Sequence, residues 1–125
     1  MKALCVCHYG HSRSVALVRV LHGIGIEAVA AGAHTAGSRF LKMMSEEATH
    51  IFIMEPGYLE QIPYEDRDKV VCLNVGPDRW SNPYNQELLA LCKKLLEEWA
   101  SKQWDTGPGT GWGRLVVDRL RTQQK

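Results

Sequence analysis

Apolar residues fall along this chain in short clusters that alternate between two periods. Lys2 to Val6 is a nearly continuous apolar run of strand length, and from Ser14 to Leu21 the residues Ala16, Leu17, Val20 and Leu21 return at helical spacing. The pattern predicts strand, loop and helix in that order. Gly23 and Gly25 close the helix, and Ile26 to Ala31 is a second β-prone run ending at Gly32. Ser38 to Glu47 fits a helix with Phe40, Leu41 and Met44 turned inward, followed by a third strand over His50 to Met54. Pro56 restarts a short helical turn, and Lys69 to Val75 makes a fourth strand. From about Asn85, Leu88, Leu91, Cys92, Leu95 and Trp99 mark one face of a long helix.

Strands alternating with helices predict a three-layer α/β domain, a four-stranded parallel sheet with helices on both faces. Ligands of such sheets sit beyond the carboxyl ends of the strands, where the loop after the first strand emerges. Residues 1–104 are assigned to this domain and 105–125 to a Gly-rich connector and C-terminal tail. Asp105 to Gly113 holds four glycines and a proline, while Arg114 to Arg121 fits either a short amphipathic helix or a disordered tail.

At 125 residues the chain has the length of one domain with a conventional core, and 45% hydrophobic against 23% charged residues is globular composition. A net charge of +1 creates no field of the kind that draws nucleic acid or anionic membranes. The polar run His11-Ser12-Arg13-Ser14 comes too early for a signal sequence, and no apolar stretch has bilayer length, so a cytoplasmic protein is expected. Cys5, Cys7, Cys72 and Cys92 form no C-x-x-C pair, which favours reduced thiols over disulfides. Cys5, Cys72 and Cys92 read as core positions, and His22, His34 and His50 show no metal-ligand spacing with them.

The chemistry concentrates between the first strand and the first helix. Cys7-His8-Tyr9-Gly10-His11-Ser12-Arg13-Ser14 is a C-x5-R-S loop. A loop of this length can wrap an anion such as phosphate, with the backbone N–H groups of His8, Tyr9, Gly10, His11 and Ser12 pointing inward. The helix N-terminus adds partial positive charge, and Arg13 a bidentate guanidinium. A helix N-terminus beside an arginine also favours thiolate over thiol, making Cys7 the candidate nucleophile and Ser14 the hydroxyl that stabilises it as a leaving group. His8 and His11 are open to two roles, contact with a substrate group or added positive charge near the anion.

Cys7, Arg13 and Ser14, following an N-terminal strand and leading this order of elements, resemble the low-molecular-weight protein tyrosine phosphatase family over most of residues 2–100. The resemblance implies a phosphomonoester hydrolase with a phosphocysteine intermediate, no metal or other cofactor, and a general acid on a later loop. It also implies phosphorylated substrates: phosphotyrosine in proteins, or a small aryl or nucleotide phosphate. The family's acid is an Asp followed by Pro, often within Asp-Pro-Tyr. Here Asn82-Pro83-Tyr84 stands in that place, and Asn82 has no labile proton to give. Asp78, four residues earlier, is the nearest carboxyl able to replace it; its other reading is a turn residue after Pro77. Trp80, Asn82 and Tyr84 border the expected pocket. Trp80 and Tyr84 either stack on an aromatic or nucleobase leaving group or anchor the loop, and Tyr9 has the same two options. Asn82 also opens a second reading, a phosphate or nucleotide sensor with weakened or lost catalysis. Arsenate reduction on the same kind of loop needs resolving cysteines, and the loops 32–38, 55–68 and 76–84 contain none.

Overall fold

Strand β1 (Lys2–Cys7) is buried from Ala3 onward, the pattern of a central parallel strand covered on both faces. The computed structural model describes residues 2–8, 12–34, 37–76, 79–80, 82–104 and 111–123. After β1 come α1 (Arg13–Gly23), β2 (Glu27–Gly32), α2 (Ser38–Glu47) and β3 (His50–Ile53). Two 3-10 turns, Pro56–Gln61 and Tyr64–Lys69, lead into β4 (Val70–Cys72), followed by α3 (Gln86–Trp104) and α4 (Gly111–Gln123). All strand pairs are parallel, in the order β2-β1-β3-β4. β1 therefore lies inside the sheet, where the chain first leaves it toward one neighbour and later returns to the other. A crevice forms at such a switch point, and Cys7 ends the strand there.

The expected α/β architecture with a four-stranded parallel sheet is present. Leu4 and Val6 of β1, Leu17 and Leu21 of α1, Ile51 and Phe52 of β3 and Leu88 and Leu96 of α3 share one core. Each such apolar side chain contributes about 1.5–3 kcal/mol on leaving water. Asn85 starts α3 by accepting the backbone N–H groups of Glu87 (2.9 Å) and Leu88 (3.2 Å), two donors a helix start otherwise leaves unmet.

Three expectations need correction. Phe40 of α2 is 39% exposed; Leu41 and Ser45, one turn apart, form the buried row, and Phe40 sits about 100° round the helix from it. Cys72 is exposed, because β4 is an edge strand with only one sheet neighbour, whereas Cys5 and Cys92 are buried. The fourth strand is also shorter than its apolar run: Asn74, at φ +51°, turns the chain out of the ladder. The backbone N–H groups of Leu73 and Val75 still reach the carbonyls of Ile53 and Met54.

Part of the segment read as connector and tail is a docked helix. Residues 105–110 lie outside the described residues, but Gly111–Gly113 opens α4, whose Trp112, Val116, Val117 and Leu120 join the same core. The Trp112 ring lies 4.1 Å from His50, and Arg119 Nη1 donates to the Ile24 carbonyl at the end of α1 (2.6 Å). Leu120, 2% exposed, should therefore matter as a core residue: Leu120→Ala is expected to lower unfolding free energy by about 2–3 kcal/mol in urea melts. A change within about 0.5 kcal/mol would mean that α4 is dispensable. No helix among the described residues is long and apolar enough to cross a membrane.

Candidate active site

The apolar run of β1 drives the chain into the sheet and delivers Cys7, 1% exposed, to its carboxyl end. Arg13 and Ser14 open α1 directly beyond the loop, and both are fully buried. Cys7 Sγ and Ser14 Oγ lie 3.0 Å apart, within hydrogen-bond reach. Ser12 is also buried at the start of α1, where its carbonyl accepts the Ala16 N–H.

A fully buried guanidinium requires compensation for lost hydration, and it comes from three separate segments. Nη1 donates to Glu55 Oε2 (2.9 Å) and to the Gly76 carbonyl (2.7 Å), while Nη2 donates to the Tyr58 hydroxyl (2.8 Å). The Tyr58 hydroxyl in turn donates to Glu55 Oε2 (2.6 Å), closing a ring of charge-assisted bonds. Glu55 lies two residues past β3, Tyr58 three residues further on, and Gly76 four residues past β4. Gly76 sits at φ +96°, a conformation that side chains resist and that aims its carbonyl at Arg13.

Burial works against the Arg13 charge, but the bonds to Glu55 and Tyr58 outweigh it and hold the guanidinium pKa above its ordinary value. The Tyr58 hydroxyl and Arg13 hold the Glu55 carboxyl below the usual range. Burial, reinforced by Glu55, pushes Tyr58 up to about 12, so it stays a neutral phenol able to donate. The arrangement is an arginine fixed in its plane beside a thiol–hydroxyl pair, suited to holding a tetrahedral oxyanion near sulfur. Burial raises Cys5 well above the ordinary thiol pKa and Cys92 to about 12, so neither competes as a nucleophile.

Of the residues expected at the site, Cys7, Ser12, Arg13 and Ser14 come together. Half-buried His8 places its ring 4.6 Å from that of His34, which in turn lies 6.1 Å edge-on from Tyr58. Tyr9, Gly10, His11 and Asp78 lie outside the described residues. Asn82 is exposed, and its side-chain oxygen accepts the Tyr84 N–H (2.9 Å), which makes it a turn former in this structure. Tyr84, 60% exposed, stacks under the Arg19 guanidinium at 3.9 Å. Arg19 is six residues along α1 from Arg13, about 9 Å down the helix, so Tyr84 is drawn along α1. Trp80 packs half-buried against the core with Arg79 over its ring at 4.5 Å.

Glu55, Tyr58, Gly76 and His34 are the site residues that the sequence did not single out. The one signal available was position: each follows the carboxyl end of a strand.

No family model matches the sequence, and no curated protein matches it. Solved structures do match in fold. The tyrosine phosphatase Wzb from Escherichia coli K30, in complex with phosphate, aligns with TM-score 0.59 at 21% identity over 81% of this chain and 96% of its own. The YwlE arginine phosphatase from Geobacillus stearothermophilus aligns at 0.54 and 18% identity over 86% and 98%. Vibrio vulnificus Wzb in complex with benzylphosphonate aligns at 0.53 and 17% identity over 98% and 95%. The fold is that of the low-molecular-weight tyrosine phosphatases.

Proposed function

We propose that this protein is a phosphomonoester hydrolase that works through a phosphocysteine. The observation that carries the reading is the Cys7–Ser14 pair at 3.0 Å beside an Arg13 guanidinium held by Glu55, Tyr58 and Gly76. The fold neighbours support the coarser reading of a phosphatase, since one is a tyrosine phosphatase and another an arginine phosphatase. Glu55 and Gly76 occupy Nη1, so a phosphate would take the edge formed by Nε and Nη2, with its remaining oxygens on the loop N–H groups. The Cys7 thiolate then attacks phosphorus in line: an S–P bond forms, the ester P–O bond breaks, and the leaving oxygen takes a proton from a general acid. Water next attacks the phosphocysteine and gives a proton to the base left by the general acid, the S–P bond breaks, and phosphate departs as Ser14 donates to the returning thiolate. Substrates of this chemistry are phosphotyrosine in proteins or small aryl or nucleotide phosphates.

Asp78 is proposed as the acid, and leaving-group dependence tests it. Asp78→Asn is expected to lose about 10²-fold on an alkyl phosphate and much less on an activated aryl phosphate, whose leaving group needs little protonation. If both substrates suffer alike, Asp78 only shapes its turn. If Asn82→Asp then raises activity selectively on the alkyl ester, the parent chain is a weakened enzyme closer to the sensor reading.

A further inference from the structure

α2 and the Pro56–Gln61 turn both start beyond the carboxyl ends of strands, at the same sheet edge as Cys7. Between α2 and the two 3-10 turns runs a groove of about 570 Å³. Arg39 and Lys42 of α2 and Arg67 of the second turn line it, against one carboxylate, Glu60. The whole chain carries only +1, so this excess of cations is local. Arg39 and Lys42 share a helix face at i, i+3, and neither is in an ion pair among the described residues, unlike Lys2 and Lys69. Arg67 is held by its Nε bond to the Ile62 carbonyl (3.1 Å) and lies 5.7 Å from the Tyr64 ring.

Two further observations bear on what fits there. Gln61 lines the groove with a buried side-chain oxygen that has no hydrogen-bond partner, an arrangement that costs about 1–3 kcal/mol until a donor arrives. Phe40 and Met43 of α2 and Leu59 of the first turn are exposed on the elements that form the groove walls. A polypeptide with carboxylates for the cations, a backbone N–H for Gln61 and apolar side chains for the exposed residues of the same elements satisfies all of these together. We propose that the groove docks an acidic segment flanking the phosphorylated residue of a protein substrate. The proposal rests on the phosphatase reading and narrows it to acidic phosphoproteins. Its reach is short: Tyr58, which bonds Arg13, and Gln61 are three residues apart, about 6 Å along a 3-10 turn. At about 3.3 Å per extended residue, acidic positions two to four places from the phosphorylated residue fall in the groove.

The test compares phosphotyrosine peptides that differ only in Asp or Asn at those flanking positions. At low salt, kcat/KM should favour the Asp peptide by about 5- to 10-fold, and the preference should fade at high salt. In the double variant Arg39→Ala/Lys42→Ala the preference should drop below about twofold, while turnover of a small aryl phosphate is kept. An undiminished preference in that variant, or equal loss on both peptides, overturns the proposal. Fluorescence anisotropy with the unphosphorylated Asp peptide reads docking without turnover, and the double variant should bind it about 5- to 10-fold more weakly. Should the aryl phosphate not be turned over while this peptide binds, the groove stands and the catalytic reading falls. Binding of phosphatidylserine vesicles through Arg39 and Lys42 with no binding of the peptide would overturn the groove's assignment to a polypeptide.

Discussion

Cys7→Ser is expected to lower turnover by at least about 10⁴-fold on every phosphomonoester while leaving the fold and phosphate binding in place. The two side chains are nearly isosteric, and a serine at position 7 can still share a hydrogen bond with Ser14 across the 3.0 Å contact, so nothing in the core must move. What changes is nucleophilicity. A serine hydroxyl stays protonated at neutral pH and is a weak nucleophile, whereas sulfur is intrinsically far more nucleophilic toward phosphorus. In the proposed mechanism the attacking thiolate repels the phosphate dianion, and a neutral serine hydroxyl does not. Inorganic phosphate should therefore bind the variant as well as the parent or better, measurable as a thermal shift. Single-turnover activity within tenfold of the parent would sink the cysteine mechanism.

Arg13→Lys is the second large effect, a loss of about 10²- to 10³-fold although the charge is kept. The guanidinium bonds Glu55, Gly76 and Tyr58 while staying planar, so that its other edge can meet two phosphate oxygens. An ammonium cannot span those acceptors and also present a parallel pair of donors. The carbonyl of Gly76 or the hydroxyl of Tyr58 would lose its partner, and a melt should show about 1–3 kcal/mol of destabilisation beside the kinetic loss. An unchanged rate would mean that no phosphate is held through the guanidinium fork.

The first strand and helix were legible because their signals are local: an apolar run buried on both faces, and helical spacing directly after a cysteine, an arginine and a serine that the structure brings together. Glu55 and Tyr58 were not, since Glu-Pro-Gly reads as an ordinary turn and their partner lies 42 and 45 residues away. Cys72 and Phe40 went astray for a related reason. Apolar spacing names an element but not which of its flanks a neighbour will cover, and an edge strand and a short helix each leave one flank open. The apolar positions of α4 stand in the sequence too. The Gly- and Pro-rich stretch before them marks a break in the chain and carries no information on whether the next element docks.

Arg13 is tied to residues 42, 45 and 63 positions away, in segments leaving β3 and β4, while Cys7 leaves β1. The reactive centre therefore has no existence apart from the assembled sheet: a hairpin-sized fragment or a partly ordered chain would hold the motif and lack the clamp. If the proposed hydrolase reading is correct, each molecule that turns over substrate declares three strand exits in register, and catalytic rate per mole becomes a count of native chains.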